Sequence, residues 1–318
     1  MRKNILILTI LSTIVMADIQ DIDDDNEDVA LIEPEGLSAR SSGPSFSRSK
    51  RVLATKIYRF NQKTFYGGCD YEIRGKRLVP IHDSCGFHYR KNLTRASRIE
   101  WEHIVPAWYF GHNLDCWKNG GRTNCRASNP KFREMEADMH NLVPAIGEIN
   151  GDRSNYPYGN IRGEKREYGK VDMEIDSSKR LAEPKKSILG DIARVYLYMR
   201  DKYNIPLSKE DEKRFIKWNN SDPVTRWEKK KNLLVKEYQG DDNSYISNYR
   251  KITELESVSE DSKIEDNSSN YREDESFLDV KNDLEQKLKP IFDLLPKPVA
   301  SILLFIIAII IYFRKKKS

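Results

Sequence analysis

At 318 residues the chain has room for one large domain or two smaller ones plus tails, and 32% charged residues with a mean hydropathy of −0.70 exclude a chain that is globular throughout. The formal charge of +5 conceals a segregation, because residues 18–35 carry nine acidic and no basic side chains and residues 254–285 carry twelve acidic and three basic ones. Setting those segments and the basic ends (Arg2, Lys3, Arg314 to Lys317) aside leaves about +17, nearly all within 36–253, a surplus that expects a polyanionic partner.

Residues 1–17 have the three parts of a secretory signal: Arg2 and Lys3, an apolar stretch from Ile5 to Met16, and the small-residue site Val15-Met16-Ala17 before Asp18. The apolar core is short for a retained anchor, so cleavage is expected. Residues 18–50, acidic and then Ser/Gly-rich, read as a disordered spacer. The folded domain is expected over 51–250, beginning where apolar residues recur through Val52, Ile57, Phe60 and Phe65. Cys69 and Cys85 bracket a hairpin-like stretch with Gly75 at its turn, and Cys116 and Cys125 bracket a Gly120-Gly121-Arg122 loop. Four cysteines on an exported chain imply two disulfides, and these local pairs are the simplest of the three connectivities. The rival, a four-cysteine zinc site, needs two closely spaced knuckles that neither spacing provides.

Between the bracketed stretches runs Ser97 to Trp108, in which Ile99, Trp101 and His103 alternate with Glu100 and Glu102 as in a strand with one apolar face. A regular strand aims Glu102 and His103 at opposite faces, so for both to serve one substrate it must bend or end there, and Pro106 supplies an end. A carboxylate beside an imidazole suggests a metal ligand next to a general base, against the plainer reading of a surface Glu beside a structural His. Asn129-Pro130 starts a helix through Phe132, Met135, Glu136 and Met139, and Pro144 to Arg153 suits a short helix presenting Asn150 from one face. Residues 155–183 read as loop. Ser187 to Tyr203 is a helix whose stripe of Ile188, Ile192, Val195, Tyr196 and Met199 belongs to a core. Ser208 with Asp211 suggests a capping box for a helix through Trp218, and Val224 to Tyr238 is helical again.

Residues 251–298 read as an acidic disordered linker, 299–313 as a C-terminal transmembrane segment and 314–318 as a basic cytoplasmic tail. The fifteen residues from Val299 to Phe313 are shorter than the ~20 of a full span, so a transient sorting signal is the alternative.

Four strings, in order, carry a resemblance: Arg95 to Trp108, Cys116 to Cys125, Met135 to Asn155 and Ile192 to Met199. With them the chain, from about Ser45 to Arg250, resembles the endonuclease I family of exported bacterial nucleases in the ββα-metal (His-Me finger) group. The resemblance implies an α+β fold: a mixed, largely helical domain around a ββα-metal motif, flanked by disordered tails. It implies non-specific hydrolysis of DNA, double- or single-stranded, with RNA as a second substrate, giving 5′-phosphate products. Carried over by position, Glu102 and Asn150 would hold one Mg²⁺, with Ca²⁺ or Mn²⁺ as substitutes, because a cation that keeps most of its water needs few protein ligands. His103 would deprotonate the attacking water, Arg122 would hold the scissile phosphate, and Glu136 would act near the metal through bound water. The bland readings are an ordinary surface arginine for Arg122 and a structural partner for Glu136. His140 and Asn141 read as scaffold, His82, His88 and His112 as uninvolved, and Trp101, Trp108 and Trp117 as core, with stacking of one of them on a base as the alternative. Relatives carry further cysteines near Gly67, Val171, Lys229 and Arg250, an even number of losses that fits two whole bridges gone together. No base-reading motif is present, so contact is expected through backbone phosphates. The expected protein is an exported, extracytoplasmic, membrane-held monomer. The rival is a catalytically weak surface nucleic-acid-binding protein, and a zinc peptidase is excluded by the lack of His-Glu-x-x-His.

Overall fold

The computed structural model describes residues 44–163 and 165–255. The signal peptide, most of the spacer and linker, the segment Val299 to Phe313 and the basic tail lie outside the described residues. The fold is α+β, with small two-stranded antiparallel sheets set among helices.

Helix α1 (Phe46–Val52) starts ahead of the expected boundary at 51, with the Ser45 hydroxyl accepting from the Arg48 amide at 3.3 Å. It runs on through a π turn (Leu53–Ile57) and a 3₁₀ turn (Tyr58–Phe60). Strands β1 (Tyr71–Arg74) and β2 (Arg77–Pro80) form the expected hairpin, with Gly75 at φ 62° in its turn. The disulfide Cys69–Cys85 closes over it, and a second bridge joins Cys116 to Cys125. A Cβ on Gly67 would lie 3.0 Å from Val171 Cγ2, so two of the positions lacking a cysteine face one another.

Helix α2 (Leu93–Ala96) leads into β3 (Ile99–His103), which pairs antiparallel with β4 (Leu142–Ile146). Pro144 to Ile146 were expected as the start of a helix. Pairing with β3 makes them a strand, and Pro144 permits it. Its carbonyl points outward to accept from the Phe65 amide at 2.8 Å, so the missing N–H lies on the same outer side and costs β3 no bond. Between the strands lie α3 (Ala107–Gly111), α4 (Asp115–Lys118), α5 (Gly121–Ser128) and α6 (Pro130–Ala137). Asn129 caps α6 by accepting from the Phe132 amide at 2.9 Å. Arg122, expected on a loop, sits in the first turn of α5 behind Gly120 and Gly121, both at positive φ.

Helix α7 (Gly147–Arg153) follows β4 directly. A Cβ on Gly147 would come 2.6 Å from the Arg95 carbonyl, and one on Gly151 would come 2.2 Å from Arg95 Nη1, so these glycines let α7 lie against α2. Buried Glu148 accepts from the amides of Arg90, Lys91 and Asn92 and pins the preceding loop to α7. The stretch 155–183 is not all loop: β5 (Met173–Asp176) pairs with β6 (Leu181–Pro184). Its charged turn, where Asp176 accepts from the Ser178 and Lys179 amides, hides the strand pattern.

Helix α8 (Leu189–Tyr203) is buried well beyond one stripe, with Leu197, Tyr198 and even Arg194 enclosed. Helices α9 (Lys209–Ser221), α10 (Arg226–Gln239) and α11 (Ser244–Ser247) surround it. Ser208 caps α9, and α10 has the full capping box, Thr225 with Glu228. Trp101 is buried and Trp117 half-buried, but Trp108, expected in the core, is exposed and stacks on His112 at 4.0 Å. Among the described residues no helix is long and apolar enough to cross a membrane, so the structure gives the expected transmembrane assignment no support.

Buried Asp138 joins these layers. It accepts from the hydroxyls of Tyr198 (2.8 Å) and Tyr203 (2.7 Å), from Lys202 Nζ (3.0 Å), from Gln239 Nε2 (3.0 Å) and from the His140 amide (2.9 Å). Burial pushes its carboxyl up, but His140, Lys202 and these donors outweigh burial and hold it at about 2. A carboxyl depressed from its usual value contributes stability that is fully present above about pH 4 and is lost as pH falls through about 2. Asp138→Asn is expected to cost roughly 2–4 kcal/mol at pH 7, read from urea midpoints, with the deficit shrinking toward pH 2.

Candidate active site

Strand β3 ends at His103, as its last pair with Leu142 shows, and it does not bend before that point. Glu100 and Glu102 therefore share one face, and His103 turns to the other.

On the carboxylate face, α7 lies with Asn150 and Arg153 one turn apart. Asn150 Nδ2 donates to Glu100 Oε2 at 2.8 Å, and Arg153 Nη1 donates to Glu102 Oε1 at 3.0 Å. Arg153 is fully buried, and it also donates to the carbonyls of His103 and Ile104, both at 2.9 Å. Its guanidinium lies 4.4 Å from the centre of the Tyr158 ring. The Tyr66 hydroxyl reaches the same Glu102 oxygen at 2.7 Å and meets the Tyr158 hydroxyl at 2.6 Å. Glu100 is paired with Arg95 and, at 2.9 Å, with Arg98.

On the other face, His103 Nε2 lies 2.9 Å from the backbone carbonyl of Glu136. A carbonyl only accepts, so Nε2 carries the proton of the neutral ring and Nδ1 keeps its lone pair. Glu136 is buried, and its side chain accepts from Arg122 Nε (2.6 Å) and Arg126 Nε (2.8 Å). One residue of α6 thus holds the imidazole with its backbone and two guanidiniums with its carboxylate. Phe46 of α1 covers the cluster: its ring centre is 5.0 Å from that of His103 and 5.6 Å from each of the two guanidiniums. Burial, then Arg122, hold the His103 imidazole well below its ordinary range against the opposing bond to Glu136, with Arg126 and Lys50 adding to the depression. The ring is consequently neutral at pH 7.

The five residues predicted from sequence are divided between the two faces of β3: Glu102 lies on the face that α7 covers, where Asn150 bonds Glu100 rather than Glu102, and His103 meets Glu136 and, through it, Arg122 on the other. His140 Nε2 meets the Asp241 carbonyl at 3.1 Å, and Asn141 clamps both backbone groups of Val105. His82 Nε2 lies 2.8 Å from the Ala96 carbonyl. Sequence reasoning passed over Phe46, Tyr66, Arg126, Arg153 and Tyr158. Of these only Arg153 left a signal, one helical turn beyond Asn150. Among the described residues no group of three or more His, Cys, Asp or Glu side chains could hold a metal.

A basic α+β domain with a neutral, carbonyl-anchored histidine beside clustered arginines has the equipment of a nuclease. The family model of Endonuclease I matches residues 46–249, and the chain belongs to that family. The "Periplasmic deoxyribonuclease" of Aeromonas hydrophila is 46% identical over 200 residues, covering 63% of this chain and 84% of its own. The "Endonuclease-1" of Buchnera aphidicola subsp. Acyrthosiphon pisum (strain APS) is 45% identical over 196 residues, 62% of this chain and 78% of its own. An "Extracellular deoxyribonuclease" of Aeromonas hydrophila is 44% identical over 203 residues, 64% and 87% respectively. The protein is an endonuclease that hydrolyses DNA. The same comparison corrects the expected transmembrane assignment: the similar proteins are named periplasmic and extracellular, and no described helix can span a bilayer.

The bridge Cys116–Cys125 ties α4 to the middle of α5, the helix that carries Arg122 and Arg126. Replacing both cysteines by serine should lower stability by about 2–3 kcal/mol. It should reduce DNA cleavage more than removal of Cys69–Cys85 does, as nicking assays on the two double variants would show.

Proposed function

We propose that the protein is an exported, non-specific endonuclease that uses one divalent metal ion, Mg²⁺ by preference, on a ββα-metal (His-Me finger) unit formed by β3, β4 and α7. The observation that carries the reading is the tautomer of His103: Nε2–H is committed to the Glu136 carbonyl, and Nδ1 is left as a base on a ring kept neutral by its surroundings. His103 Nδ1 takes the proton of the attacking water. Arg122, aimed by the Glu136 carboxylate, neutralises the scissile phosphate, and Arg126 lies on the same carboxylate as a second cation for the polyanion. Glu136 acts as a positioning residue.

The residues fit a hard cation. The Glu102 carboxylate and the Asn150 amide oxygen are the oxygen donors such an ion prefers, and the reading is supported by the bond from Asn150 Nδ2 to Glu100, which leaves the amide oxygen for the ion. When bound, a divalent ion supplies charge stabilisation to the phosphorane-like transition state and to the departing 3′-oxygen, leaving the 5′-phosphate on the other fragment. Export is supported by the signal-like residues 1–17, the disulfides and the names of the similar proteins. Lack of sequence preference is supported by the basic domain and the absence of any base-reading element among the described residues. RNA would be cut by the same chemistry.

His103→Ala is expected to bind duplex DNA normally and to lose about 10²–10⁴-fold in cleavage, measured by plasmid nicking and by gel shift. Near-normal turnover would eliminate the base. With that variant, affinity for unrelated duplexes should fall steeply with salt and differ little between sequences. A single preferred sequence, or a flat salt response, would contradict backbone recognition.

A further inference from the structure

The carboxylates around the proposed metal position are not spare negative charge. Glu100 is ion-paired with both Arg95 and Arg98, and Glu102 is ion-paired with the buried Arg153. Two carboxylates and three guanidiniums leave this group with a net charge of +1, and Asn150 adds none. A dication approaching Glu102 and Asn150 meets oxygens of the right type whose negative charge is already matched by guanidiniums. The charge that would add to theirs is an anionic phosphodiester, which Arg122 and Arg126 also attract.

We propose that Arg95, Arg98 and Arg153 are positioning residues that hold the site's carboxylates in place while cancelling their charge, so that the metal is retained tightly only together with the DNA phosphate. The inference rests on the reading of Glu102 and Asn150 as metal ligands. Each arginine does both jobs through one geometry. Arg153 fixes Glu102 to the end of β3 by also binding the His103 and Ile104 carbonyls, and Arg95 fixes Glu100 beneath α7. Such a site couples metal to substrate, and the coupling is reciprocal: the factor by which DNA tightens the metal equals the factor by which the metal tightens DNA. A nuclease built this way holds little metal while idle and completes its site on the substrate.

The test uses His103→Ala as a binding-competent, cleavage-deficient background, with Mg²⁺ and Mn²⁺ as the probes. Calorimetric titration should give a metal affinity at least about 10-fold higher with a short duplex present than without it, and gel shifts should show the same factor for the duplex. Arg98→Gln, added to this background, leaves Glu100 with Arg95 and Asn150 as partners. It should bind metal alone several-fold more tightly and show a smaller coupling factor, a gain that a merely structural arginine would not produce. Equal metal affinity with and without duplex, or weaker metal binding by Arg98→Gln with an unchanged melting temperature, overturns the proposal. Glu102→Gln separates the two levels. If it leaves metal affinity unchanged, the ligand reading itself fails. If it abolishes metal binding while the coupling is absent, only the present inference fails.

Discussion

The constraint on which the site depends is the burial of one guanidinium. Arg153 has no access to water and must find its partners inside the protein, and it finds them in the Glu102 carboxylate and in the carbonyls of His103 and Ile104. Leaving a charge unpaired at such a site costs several kcal/mol, so the end of β3 and the last turn of α7 are held in one arrangement. Asn150 rides on the same helix, and the two glycines that flank it in sequence spacing, Gly147 and Gly151, let that helix approach Arg95 and Glu100 closely.

Glu136 plays the corresponding part on the opposite face of the strand. Its carbonyl decides the tautomer of His103, and its side chain brings two arginines to the same place. Burial, and then those arginines, depress the imidazole and keep it neutral, so on the proposed reading the cations that would meet a polyanion also keep the base ready. Phe46 links this cluster to the start of the folded domain by lying against the imidazole and both guanidiniums. That contact explains why the domain must begin at α1 rather than after it.

The strongest readings from sequence concern properties that neighbours in the chain decide among themselves. The hairpin about Gly75, the helix start at Asn129, the cap at Ser208 and the short-range disulfides depend on local geometry, and all are present. The failures share another cause. Pro144 to Ile146 read as helical until β3, some forty residues earlier in the chain, claims them as part of a strand. The β5–β6 hairpin is masked by its charged turn, and Trp108, apolar by type, is left at the surface because α3 turns its other side, with Phe110, to the core.

The sequence by itself determined the family, the export-like start and the concentration of basic charge within one domain, and it named five candidate site residues, because residue type and linear order suffice for each. Only the tertiary structure decided that Glu102 and His103 face opposite ways, that Glu136 serves the imidazole through its backbone, and that the carboxylates are already matched by arginines. Arg95, Arg122, Arg126 and Arg153 look alike in a basic sequence. Which of them meets solvent and which meets a carboxylate is fixed by long-range packing, since a buried ion takes whatever partners the fold brings to it.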